Sequence, residues 1–149
     1  MEPITYSQAR LRLADVYDLA IAHLPTRIER RRVSPAVLLS LEDLHAILSH
    51  VEFAPEVLFE AGSVAIWLRE LAIWGRGRTF AEAKVDLLAE IDQLLAAIAD
   101  DARLRSAPNI VEQLPWIFRL MVAETDAERE QVLFAPPTTE ARPVAAPRA

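Results

Sequence analysis

Arginine is the residue type through which this chain could do chemistry, and its spacing is uneven. Arg10 and Arg12 stand two apart, and Arg30, Arg31 and Arg32 run consecutively with no acid between them. Guanidinium groups clustered in this way suit phosphate, because each is permanently charged and donates two parallel hydrogen bonds. If Arg10 and Arg12 lie in the first turns of a helix, the backbone dipole disfavours them by up to ~1 kcal/mol, a cost that a bound phosphate would offset. The plain alternative is Arg12 paired with Asp15, Arg10 with Glu2 or Glu29, and the triplet as a solvated turn. Other reactive types offer less. His23, His45 and His50 have no metal-ligand spacing, and His45 and His50, five apart, face different sides of a helix. No glycine-flanked serine forms a nucleophile elbow. Asp100 and Asp101 stand beside Arg103 and Arg105 as a salt-bridged surface. Gly75 and Gly77 lack the third glycine or Gly-Lys-Ser/Thr of a phosphate loop, so a tight turn explains them. With no cysteine there is neither a thiolate metal site nor a disulfide scaffold. The expectation is a protein without enzymatic activity, metal or cofactor.

All three tryptophans, Trp67, Trp74 and Trp116, fall in the rear of the chain, with Leu71 and Phe118 close by in sequence. Core packing is the usual role of such residues. In acidic surroundings they also suit a partner-binding face, because large aromatics dominate interface energetics.

Charge divides the chain. Residues 1–51 carry six arginines against six acids, while the remainder carries ten basic and sixteen acidic residues, so the net charge of -6 resides in the rear. This predicts a nucleic-acid-facing front and an acidic rear. A length of 149 residues with 52% hydrophobic content fits one domain or two small ones. No apolar run reaches the ~18 residues of a membrane span, and the N-terminus has no signal-peptide pattern, so a cytoplasmic location is expected.

These residues must be held by identifiable elements. Ile4 and Thr5 can form a short strand, and Ser7 can cap a helix running to about Leu24, with Leu13, Val16, Tyr17 and Ala20 at helical spacing. Residues 27–32 and 36–40 read as two strands around Val33-Ser34-Pro35, which places the three arginines at the hairpin tip. The uninterrupted apolar run Ala36-Val37-Leu38-Leu39 implies that both faces of its strand are covered, one of them by a second subunit. Ser40 starts a helix through Leu44, Ile47, Leu48 and Val51, and Pro55 marks a boundary. Residues 63–68 and 70–74 read as strands, with Gly75-Arg76-Gly77-Arg78 as the following turn. Thr79 and Glu82 form a capping box for a long helix to about Leu104, striped by Phe80, Ala83, Leu87, Ile91, Leu94 and Ile98. Short helices are expected over 116–122 and 126–133, and a disordered tail over 135–149, where proline and alanine carry no periodicity.

Three motifs in order, Tyr6-Ser7-Gln8-Ala9-Arg10, Arg30-Arg31 followed by Ala36-Val37-Leu38-Leu39-Ser40, and Leu41-Glu42-Asp43-Leu44, resemble the Phd/YefM family of bacterial antitoxins over about fifty residues. Two positions depart from the pattern: Ser34-Pro35 replaces a turn glycine, and Glu29 takes a usually apolar strand position. The segment Gly75 to Ala83 with Ala107-Pro108-Asn109 is similar to longer prevent-host-death proteins, and the same strand-turn-helix is reminiscent of HicB-type antitoxin modules. The resemblance implies an α+β protein: a dimerising and DNA-binding strand-helix-hairpin-helix domain over 1–52, and a toxin-binding strand-turn-helix domain with short C-terminal helices over 53–134. It implies a homodimer that represses its own operon at operator DNA while its rear portion neutralises a cognate toxin, expected to be an RNase. The family's DNA-contacting arginines fall on Arg10 and Arg31, with Arg12, Arg30 and Arg32 beside them, and Trp67, Leu71, Trp74, Trp116 and Phe118 become the toxin-binding candidates. A stand-alone transcriptional regulator without a toxin is the alternative.

Overall fold

The computed structural model describes residue 1 and residues 3–135. The expected disordered tail therefore lies outside the described residues, Ala135 excepted. The fold is mixed α+β, with two three-stranded sheets and seven helices among the described residues. The chain forms two compact units that divide between Val51 and Glu52.

In the first unit β1 (Pro3–Thr5) leads into α1 (Tyr6–Leu11) and α2 (Leu13–Ile21), and then into β2 (Thr26–Arg30), β3 (Val33–Leu38) and α3 (Leu41–Leu48). β1 pairs parallel to β2, so the two helices make the crossover that a parallel pair requires, and β3 returns antiparallel on the other side of β2. The helix cap is Thr5 rather than Ser7: its hydroxyl accepts from the Gln8 N–H at 3.2 Å, and Gln8 Oε1 accepts from the Thr5 N–H at 2.9 Å. The single helix expected to reach Leu24 breaks at Arg12, whose ψ of 36° leaves the helical range. The hairpin turn also lies earlier than expected. Arg31 and Arg32 are the turn, and Val33-Ser34-Pro35 belong to β3. Proline is harmless there because β3 is an edge strand, where a missing N–H need not interrupt a ladder.

Ser40 caps α3 by accepting from the Asp43 N–H at 3.0 Å, and its hydroxyl donates to Asp43 Oδ2 at 2.7 Å. The other oxygen of Asp43 lies 2.8 Å from His23 Nδ1, fastening the end of α2 to the start of α3. The hydrogen bond to Asp43 and its negative charge raise the His23 pKa above its usual 6.5. Hydrogen bonds from Ser40 and then His23 lower that of Asp43 below its usual 3.8. The signs define a window. Protonated His23 stabilises the fold below pH ~6.5 and that contribution is lost as pH rises through its raised value; ionised Asp43 stabilises above pH ~4 and is lost as pH falls through its depressed value. Melting temperature against pH is expected to peak between these limits, and His23→Asn, which tolerates the left-handed backbone at this position (φ 61°), should remove the alkaline limb. An unchanged alkaline limb in the variant would contradict the pairing.

In the second unit β4 (Glu56–Glu60), β5 (Ser63–Leu68) and β6 (Ile73–Gly77) form an antiparallel meander, followed by α4 (Phe80–Asp100), α5 (Ala102–Arg105), α6 (Pro108–Met121) and α7 (Asp126–Phe134). Val64, Ile66 and Leu68 alternate inward from β5 onto Ala83, Leu87, Leu88, Ile91 and Ile98 of α4, and Ile110, Ile117, Leu120 and Leu133 complete the core. Gly75 and Gly77 are strand residues rather than a turn; the turn lies over residues 69–72. Their lack of a side chain lets α4 settle on β6: a Cβ on Gly77 would lie 2.5 Å from Glu82 Cβ and 2.6 Å from the Ala83 nitrogen.

Thr79 caps α4 as expected, while Glu82 reaches back to the Arg78 N–H at 2.7 Å instead of to the cap residue itself. The helix stops at Asp100, short of Leu104, because Asp101 turns extended and caps α5 through the Arg103 N–H at 2.8 Å. Arg105 then donates to the Ile98 and Ala99 carbonyls, satisfying part of the helix end. α6 begins eight residues before the expected Trp116 and runs through Pro115, a residue that costs a helix ~3 kcal/mol; burial of Ile110, Ile117 and Leu120 offsets it. Ion pairs Lys84–Glu130 (2.9 Å) and Arg129–Asp92, with Phe80 edge-on to Phe134, hold α7 on α4.

Candidate functional site

The arginines of the first unit are positioned differently from one another. Arg10 lies in the last turn of α1, not the first turns of a long helix, so the dipole favours its charge and the expected cost is absent. Arg12 Nε pairs with Asp15 Oδ2 at 3.0 Å, with both side chains more than 60% exposed. Such a pair is worth at most ~1 kcal/mol, too little to withhold the guanidinium from a phosphate. Glu29, named as a partner for Arg10, is taken by Arg27 at 2.7 Å, and Glu2 lies outside the described residues. Arg30 ends β2 opposite Val33, next to a register shift, and its guanidinium stands 5.4 Å from the centre of the Tyr6 ring. Arg31 and Arg32 form the exposed hairpin tip.

Arg32 is held at φ 62°, a left-handed conformation that costs an L-residue roughly 1–2 kcal/mol. The left-handed position of this hairpin is therefore Arg32, not the Ser34-Pro35 pair at which the resemblance places a departure from glycine. Arg32→Gly is expected to stabilise the first unit by roughly 1 kcal/mol in a denaturant titration while removing one cation from the tip. A destabilised variant would show that the arginine side chain anchors the turn.

The first unit also leaves apolar side chains open. In a single chain Val37 of β3 is 46% exposed, and Val33, Leu11, Leu13, Leu24 and Ile47 are exposed as well. Within the apolar run Ala36–Leu39, Ala36 and Val37 are thus left exposed while Leu38 and Leu39 are half-buried. A groove of about 520 Å³ lies between β1, the helices and the Leu24–Thr26 segment, with Ile4, Val16, Leu19 and Pro25 in its wall.

In the second unit the five candidates separate. Trp67 and Trp74 are cross-strand neighbours on the sheet face turned away from α4, with ring centres 4.6 Å apart, and the Arg76 guanidinium lies 5.5 Å from the Trp74 ring. Ala65 and Leu58 share that face by register. Leu71 is 4% exposed and belongs to the core, so it is not a surface residue. Trp116 packs against the core and donates its Nε1–H to the Glu52 carbonyl at 2.9 Å, a structural tie across 64 residues. Phe118 projects from the exposed side of α6. The strand β4 had no counterpart in the sequence-based expectations. Its signal is Gly62 at φ 76° in the turn that joins it to β5.

Among the described residues no group of three or more His, Asp or Glu is placed to hold a metal ion, and no helix is long and apolar enough to cross a membrane. No protein-family model and no curated protein matches the sequence. The fold does have a solved counterpart: the chain is similar to a crystal structure of the antitoxin part of a proposed toxin/antitoxin system from Syntrophomonas wolfei subsp. wolfei, at a TM-score of 0.78 and 17% identity over 90% of this chain and 97% of that one.

Proposed function

We propose that the chain is an antitoxin of the Phd/YefM type, a homodimer that represses its own operon through its first units and neutralises a cognate RNA-cleaving toxin through its second. The observation that carries this reading is the fold shared with the Syntrophomonas wolfei antitoxin over nearly the full length of both chains. Three features support the division of labour. Exposed Val33 and Val37 on β3, with Leu11 and Leu13 on the helices, offer a second copy an apolar surface. Arg31 and Arg32 at a hairpin tip, with Arg10 at a helix end, provide cations for phosphates, and a dimer doubles them along one duplex. The second unit, acidic and carrying an open sheet face with Trp67 and Trp74, suits a basic protein partner.

The tagged chain, expressed together with the product of the adjacent reading frame, is expected to carry that product through size-exclusion chromatography as a complex of fixed stoichiometry. Elution of the two as separate species would contradict the toxin-binding half of the proposal.

A further inference from the structure

The two edges of the second sheet are treated differently. The N–H groups of Arg76 on β6 and of Arg78 just beyond it are each taken by an acid of α4: Arg76 donates to Asp86 Oδ2 at 2.7 Å and Arg78 to Glu82 Oε2 at 2.7 Å. That edge is closed to further pairing. Antiparallel alternation then fixes the opposite edge. With Arg76 facing out, Gly75 faces β5, Ile66 faces β6, and Val57 and Phe59 present their N–H and C=O groups on the outer side of β4. No hydrogen bond among the described residues reaches them. Leu58 is 46% and Phe59 74% exposed beside this open ladder.

Resting on the antitoxin reading above, we infer that β4 is the docking edge for the toxin, which contributes an extended segment as a fourth strand along Glu56–Glu60. Main-chain hydrogen bonds from Val57 and Phe59 hold the segment, and its alternate side chains give specificity. Charge selects the occupant. Glu56, Leu58 and Glu60 share the outer face with Trp67. Glu56 already holds the Arg69 guanidinium, whereas Glu60 makes no ion pair among the described residues. The added strand therefore carries a lysine or arginine opposite Glu60 and an apolar residue two positions along, opposite Leu58. A second copy of β4 fits poorly: antiparallel about Leu58 it sets Glu56 against Glu60, and parallel in register it sets each glutamate against itself.

Phe59→Pro removes an outward N–H while sparing the ladder to β5, a substitution that edge strands tolerate. It is expected to weaken binding of the adjacent reading frame's product by on the order of 100-fold, and Glu60→Lys by roughly 10-fold. Amide exchange on the wild-type complex gives a readout that does not depend on how the variant folds: Val57 and Phe59 should gain protection on binding. A folded Phe59→Pro protein that binds with unchanged affinity, or a complex in which both amides exchange as in the free chain, overturns the docking edge alone. A variant that dissociates a homodimer without touching toxin affinity also overturns it, in favour of a second copy. Failure of the wild-type chain to bind the product overturns this inference and the antitoxin reading together.

Discussion

Arg31→Ala combined with Arg32→Ala is expected to weaken binding to the DNA upstream of the chain's own reading frame by on the order of 100-fold at physiological salt. The turn residues are exposed, carry no ion pair among the described residues, and close a hairpin whose ladder is made by β2 and β3, so their truncation leaves the core intact. A dimer loses four cations. If each meets one phosphate, the slope of log affinity against log salt falls by about 3–4, since each neutralised phosphate contributes roughly 0.9. The salt slope separates this from a folding defect, which would lower affinity without such a change. Equal affinity of the double variant and the wild type would remove the hairpin tip from the DNA-binding account.

Gly75→Ala is expected to produce the largest loss of stability in the second unit. The added Cβ would press on the Ala83 carbonyl oxygen and lie 2.5 Å from Leu87 Cβ and 2.8 Å from the Leu87 nitrogen. Two of these three neighbours are backbone atoms of α4, so no side-chain rotation relieves the clash; the helix must lift off the sheet. Lifting it opens the contact of Ala83, Leu87 and Ile91 with Ile66, all fully buried. Overpacking of an ordinary core site costs about 1–3 kcal/mol, and here at least ~3 kcal/mol is expected in a denaturant titration. Gly62→Ala is the control: its φ of 76° imposes strain, but nothing lies within 4 Å of the added carbon, so a cost nearer 1 kcal/mol is expected. Similar values for the two variants would show that α4 does not depend on a bare strand beneath it.

Capping chemistry was the most legible part of the fold. Ser40 with Asp43 and Thr79 with Glu82 mark two helix starts because a hydroxyl three residues before an acid satisfies orphan N–H groups locally, with no help from the rest of the chain. Where tertiary packing decides, local signals misled. The helix expected over 116–122 begins instead at Pro108 and runs through Pro115, with Ile110 buried before the proline and Ile117 and Leu120 after it. Gly75 and Gly77 read as a turn because their role is to admit helix residues five to twelve positions further along, and close approach leaves no trace in periodicity. β4 offered only three apolar residues between two glutamates, too short a run to stand apart from a loop. Of the candidate site residues, the arginine triplet reads as a strand end before a turn at Val33-Ser34-Pro35, whereas Arg31 and Arg32 are themselves the turn; Leu71 and Trp116 could not be told from surface anchors, because aromatic and aliphatic residues serve core and interface alike.

The most direct test of the antitoxin reading is growth. Cells induced for the adjacent reading frame alone are predicted to stop growing, and co-induction of this chain is predicted to restore growth, with Gly75→Ala failing to do so and the Arg31→Ala, Arg32→Ala double variant succeeding. Arrest that persists in the presence of the wild-type chain, or an adjacent product that never arrests growth, would contradict it.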